Sequence, residues 1–172
     1  MNRARTIVLV VCTSGWLLAQ QPPKESSKGT HAAQKPSAAA NMGAYTADKL
    51  QWGPAPAVLP AGAQLAVVEG DPTKPGPYTM RLKMPSGYKI APHHHLRREH
   101  VTVISGDFKV GMGDQFDESK MNSFSPGSFA WLEPSVHHYA MAGPETVIQL
   151  HGTGPWEIIY INQSDDPRKS KK

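Results

Sequence analysis

From residue 45 onward, apolar and polar positions alternate in short runs. In "YTMRLKM", Tyr78, Met80, Leu82 and Met84 alternate with Thr79, Arg81 and Lys83. A period of two predicts a strand with one buried and one wet face. "DFKVGM" repeats the pattern with Phe108, Val110 and Met112, and "EHVTVIS", "SFAWL", "ETVIQLH" and "WEIIYI" are further β-rich runs. Turn material separates them: "PSG", "SGD", "GMGD", "SPGS", "AGPE" and "GTGP". "TADKL" near 46–50 reads as a single helical turn, and no window from Gln64 onward reads as an amphipathic helix. Regular short strands with turn punctuation predict an all-β sandwich or barrel.

The ends of the chain have a different character. Arg3 and Arg5 precede an apolar stretch from Thr6 to Leu18, and Ala19 follows it. The stretch is shorter than the ~20 residues of a spanning helix and reads as an export signal over 1–19. A secreted or periplasmic protein is expected, with lipoprotein anchoring through Cys12 the lesser reading because Val11 is bulky. Residues 20–44 are Pro, Ser, Ala, Lys and Gln with almost no large apolar side chain, and predict a disordered linker. The folded domain is expected over 45–162, followed by a basic flexible tail over 163–172.

Charge narrows the partners. The formal +4 falls to +2 once Arg3 and Arg5 leave with the signal, since 16 basic residues then face 14 acidic ones. Several of those sit in "DPRKSKK", and no aromatic residues interleave with them, so nucleic acid is not an expected partner. Stable membrane insertion is not expected either. Cys12 is the only cysteine, so a domain cut after it has neither thiol nor disulfide.

The chemistry concentrates in "APHHHLRREH", where His93, His94, His95, His100 and Glu99 fall within eight positions. In a strand, alternate residues share a face. His93 and His95 then point one way, with Glu99, Val101 and Val103 continuing the row, while His94 and His100 point the other way. Two imidazoles and a carboxylate suit a divalent transition metal. A further ligand is expected from "EPSVHHYA", which offers His137 and His138, or from "VIQLH", which offers His151. "GMGDQFDES" carries Asp114, Asp117 and Glu118 at no calcium-loop spacing and reads as a solvated hairpin tip.

On these residues the chain resembles the cupin superfamily of jelly-roll β-barrels. Gly87, five residues, His93-x-His95, three residues, Glu99, six residues and Gly106 reproduce the first cupin motif. A looser second motif is Pro126-Gly127, the "SFAWL" run, Pro134 and a histidine at a strand start, with "EPSV" replacing the usual Pro-x-Gly. The resemblance covers roughly residues 60–162 and implies a jelly-roll barrel with a metal held by His93, His95, Glu99 and His138, His137 being the alternative to His138. Gly87 is read as the turn feeding the ligand strand and Gly106 as a tight hairpin turn. The donor set admits Mn, Fe, Zn, Ni or Cu. His151, if it faces the cavity, is expected to be the catalytic general base, with Gln149 beside it. Tyr78, Met80, Val101, Val103, Phe129 and Trp131 are candidate lining, and Phe129, Trp131 and Trp156 are expected to be core. Cupins host many reactions. The expected function is a small-molecule enzyme of oxygenase or lyase type, the alternative being a non-catalytic metal- or ligand-binding module. Exposed sheet edges make a homodimer the expected assembly.

Overall fold

The computed structural model describes residues 43–169, so the export-signal reading and nearly all of the linker reading lie outside the described residues. Eleven strands follow in chain order: β1 (Gly53–Pro54), β2 (Gln64–Gly70), β3 (Gly76–Met84), β4 (Lys89–His94), β5 (Glu99–Ser105), β6 (Phe108–Met112), β7 (Asn122–Phe124), β8 (Phe129–Leu132), β9 (His138–Ala142), β10 (Thr146–Gly154) and β11 (Ile159–Tyr160). They make two antiparallel sheets. One has the order β1-β2-β3-β10-β5-β8, the other β11-β4-β9-β6-β7. From β3 to β6, and again from β7 to β11, the chain mostly switches sheet at each connection. This is a jelly roll, which falls within the all-β sandwich or barrel that the spacing of strands and turns predicts and is the form that the cupin resemblance implies.

The alternation in β3 is realised in full. Tyr78, Met80, Leu82 and Met84 are buried, and Thr79, Arg81 and Lys83 are not. These residues meet Ile148 and Leu150 of β10 and Val101 and Val103 of β5, and the other sheet closes over them with Ile90, Phe108, Ala140 and Ala142. Each large apolar side chain so buried contributes about 1.5–3 kcal/mol.

The structure differs from the expectations at several places. "WEIIYI" supplies only the two-residue β11; Trp156 and Glu157 run irregularly before it, with the Trp156 amide donating to the Pro72 carbonyl at 2.7 Å. The 113–121 connection is a hairpin tip between β6 and β7 with Asp114, Gln115, Glu118, Ser119 and Lys120 exposed, and it is also anchored. It folds back on the outer face of its sheet, where the Tyr139 hydroxyl donates to the Asp117 carbonyl at 3.0 Å and Phe116 packs on the Tyr139 ring at 5.0 Å. Gly111 lies opposite Tyr139, and a Cβ there would sit 2.2 Å from the ring. The first residues of the tail are anchored: Gln163–Asp165 forms a short 3-10 helix, and the buried Asp166 carboxylate accepts a fork of bonds from Arg168. The expected helical turn is a 3-10 helix at Ala47–Lys49.

Gly106 does not sit in a hairpin. It links β5 to β6, which belong to different sheets. Its φ is +84°, and an added Cβ would lie 2.5 Å from the Glu145 carbonyl oxygen and 2.7 Å from the Thr146 Cα. Backbone cannot yield as a side chain can. Gly106→Ala is therefore expected to destabilise the domain by roughly 2–5 kcal/mol, combining left-handed strain with overpacking. Urea unfolding followed by circular dichroism measures it.

Candidate metal centre

His93 stands near the end of β4 and pairs directly with His138, the first residue of β9. Their ring centroids are 4.2 Å apart. His95 follows β4 in the connection His95–Arg98, and Glu99 opens β5 in the opposite sheet. The extended conformation does not persist from 93 to 99. His95 and Glu99 still reach the same space, because the crossing brings them back over the end of the barrel. His95 lies 5.1 Å from His93 and 5.2 Å from His138, centroid to centroid. All three rings are buried, and each offers a ligand atom within 4.8 Å of the others.

The rings are held by one repeated device. His93 Nδ1 meets the Ala91 carbonyl at 2.7 Å, His95 Nδ1 the Glu157 carbonyl at 2.6 Å, and His138 Nδ1 the Val136 carbonyl at 3.0 Å. A carbonyl only accepts, so each Nδ1 carries the proton. In the neutral ring, each Nε2 then keeps a free lone pair. His95 Nε2 is buried without a hydrogen-bond partner, 3.4 Å from Glu99 Oε2. The other Glu99 oxygen accepts from the Trp156 indole N–H at 2.7 Å. Trp156 also stacks on His95, with 26° between the ring planes.

Electrostatics follow from the burial. His93 is held well below the ordinary histidine range by desolvation, with the neighbouring His138 and His95 adding to it. His138 is lowered by burial and then by His95. For His95, burial pulls downward, but the Glu99 carboxylate outweighs it and the net shift is upward. Glu99 resists its own burial through His95, His138 and the Trp156 donor, and falls to about 2. Burial favours the neutral ring at His93 and His138, and three imidazoles with oriented Nε2 atoms beside an ionised carboxylate are a donor set for a divalent transition metal. The orphaned His95 Nε2 and the three fixed tautomers fit such an ion. The cavity they line, with apolar walls, has a volume of about 30 Å³, room for an ion and a water or two.

The remaining predicted residues fall elsewhere. His137 points away from the cluster; its Nδ1 pairs with Asp114 at 2.6 Å and its ring stacks on His94 at 5.3 Å. His151 needs correction as a catalytic base. Ile148 and Leu150 of β10 face inward, so alternation turns His151 to the outer surface. There it stacks on His100 at 4.8 Å, with planes 6° apart, and next to Phe129. Burial and then His100 lower its pKa. Gln149 shares that outer face and accepts from Arg81 Nε. Phe129 and Trp131 are also corrected: they are 52% and 58% exposed, not core. Trp156 is half-buried against the core and serves the cluster. Val101 lines the cluster cavity, whereas Tyr78 and Met80 are packed core outside it. The carbonyl anchors and the Trp156 contact are absent from the sequence reading. A carbonyl carries no residue identity, and no periodicity announces either feature.

The architecture and the cluster together define an RmlC-like cupin barrel, and comparison with solved structures agrees. An RmlC-like cupin from Ralstonia eutropha superposes with a TM-score of 0.55 at 21% identity, over 73% of this chain and 75% of that one. The polyketide cyclase RemF from Streptomyces resistomycificus gives 0.56 at 14% identity, over 73% and 89% of the two chains. A candidate acetylacetone dioxygenase from Methylibium petroleiphilum gives 0.54 at 16% identity, over 73% and 85%. Within this class the chain belongs to the DUF4437 family, a domain of unknown function, which matches residues 15–159. No curated protein matches it.

Trp156→Phe removes the donor to a buried carboxylate while keeping an aromatic ring. It is expected to destabilise the metal-free protein by about 1–3 kcal/mol, read from the urea midpoint at constant slope.

Proposed function

We propose that this chain is an exported metal-dependent cupin acting on a small organic molecule, with chemistry of the oxygenase or lyase type. His93, His95, His138 and Glu99 would hold the ion. The observation that carries this reading is the set of three buried rings, each locked by a carbonyl with Nε2 turned to one cavity. Burial of so many ionisable groups is costly unless they are paired or coordinated. Bound there, a divalent transition metal supplies Lewis acidity and, if redox-active, electron transfer. The protein's own contribution is orientation and exclusion of water. Trp156 holds one Glu99 oxygen and leaves the other beside His95. Apart from Glu99 and the three rings, no titratable side chain lines the cavity among the described residues. Glu99 is thus the one carboxylate of the cavity, and its lowered pKa keeps it ionised as a ligand. Export rests on the Arg3, Arg5 and Thr6–Leu18 pattern, and pairing of two copies rests on the exposed sheet edges.

Elemental analysis of purified, metal-exchanged protein tests the centre. The wild type is expected to hold about one ion per chain, as one mononuclear site requires. His93→Ala, His95→Ala and His138→Ala are expected to lose it, and His94→Ala, His137→Ala and His151→Ala to retain it. A wild type that takes up no transition metal removes the proposal. For catalysis, loaded protein that consumes neither dioxygen nor any carbonyl, phenol or cyanohydrin substrate in a broad screen leaves the non-catalytic binding module as the reading.

The ion's contribution to the fold is separately measurable. Adding metal at about 100 times its dissociation constant is expected to stabilise the domain by about 2.7 kcal/mol. Chelation should reverse the shift in melting temperature, and Glu99→Gln should reduce it.

A further inference from the structure

The cluster cavity has room for an ion but not for an organic substrate, and a second space lies against it. β8 ends one sheet and β7 ends the other, and no ladder joins them among the described residues. The barrel is therefore unsewn along this seam, with the Ser125–Ser128 turn at one end. Behind the seam is a chamber of about 200 Å³. Its wall carries no charged side chain, and its polar members are only Asn122 and Ser128. Val101, Phe108, Val110 and Leu132 line both this chamber and the cluster cavity, so the two spaces abut.

Alternation shows that the chamber is built by inward-facing residues. Met112 pairs with His138 and shares its inward face, yet it is 54% exposed. Val110, Phe124, Ala130 and Leu132 also face inward and stay only half-buried. Along β3, β10 and β5 the inward rows close into packed core. Here the apolar inner surface continues outward from the cluster to the seam.

We propose that this seam chamber receives the apolar body of the substrate while an oxygen-bearing head reaches the cluster. The inference rests on the metal-dependent reading and deepens it. The substrate class is a neutral molecule with one ring or a compact branched hydrocarbon part, carrying a metal-binding oxygen group. An apolar cavity of about 150 Å³ suffices for benzene, so the chamber takes one ring with a short substituent. A charged or sugar-like body finds no partner in this wall. Entry runs sideways between β7 and β8, past Met112 and Trp131.

Two arms test the proposal. In the first, toluene is titrated into metal-free protein and methyl resonances are followed by NMR. Shifts are expected at Val101, Val103, Val110 and Leu132 in the wild type and are expected to vanish in Ala130→Phe, which fills the chamber. In the second, metal-loaded protein binds acetohydroxamate, a head alone, or benzohydroxamate, a head with a ring. Benzohydroxamate should bind at least about tenfold more tightly, as burial of a ring predicts. Ala130→Phe should abolish the preference while keeping metal stoichiometry and acetohydroxamate binding. Should Ala130→Phe fail to fold, Phe124→Ala decides, because the widened chamber should shift preference toward 2-naphthohydroxamate. Toluene shifts elsewhere or nowhere overturn the chamber. Equal hydroxamate affinities overturn its connection to the cluster. A seam closed by a second copy, seen as a dimer in light scattering with no toluene shifts, also overturns it. Protein that binds no metal but gives the toluene shifts refutes the metal reading and leaves the chamber standing.

Discussion

Three Nδ1–H···O=C hydrogen bonds govern the interior of this barrel. Without them, His93, His95 and His138 would be free to rotate, and each would need some other answer to its burial in an apolar wall. With them, every ring has a fixed tautomer and a fixed direction, and the unsatisfied nitrogens are gathered at one point. Two of the bonds reach back two residues along the chain, at Ala91 and Val136, and are products of the local backbone. The third reaches Glu157, in the segment before β11, and ties the crossing loop to the end of the domain. The same segment supplies Trp156 to Glu99. Local strand geometry thus sets two rings, and tertiary packing sets the remaining ring and the carboxylate.

The fold was legible because its signal is short-range. Period-two runs, turn residues between them and the absence of helical windows already specify an all-β architecture, and the resemblance of the 87–106 stretch to the first cupin motif implies the jelly roll. The cluster was legible in residue identity more than in reasoning. A single strand running from His93 to Glu99 would have put the right residues on one face, but the chain instead breaks at His95 and crosses between sheets. His93 and His138 are neighbours across a ladder, which spacing alone does not reveal. The preference for His138 over His137 follows, in the structure, from strand parity at the start of β9.

What the sequence could not convey was the side of each sheet. His151 shares alternation with Val147 and Gln149, but alternation does not say which alternate row faces in. The answer comes from Ile148 and Leu150, whose burial fixes the row. Phe129 and Trp131 fail for a related reason. Large aromatic residues on a strand usually pack inward, yet the inward positions of β8 are Ala130 and Leu132, opposite Val101 and Glu99. The small Ala130 leaves space beside the cluster, and the aromatics lie on the outer surface and the rim.

The crossing at His95–Arg98 has one more consequence. His93 and His138 belong to one sheet, Glu99 belongs to the other, and His95 lies on the bridge between them. The cluster is therefore a clasp whose halves sit on opposite leaves. Among the described residues no ladder joins the two leaves, neither along β7 and β8 nor along β1 and β11. An ion held at the clasp would tie the two leaves through side chains where no backbone ladder does.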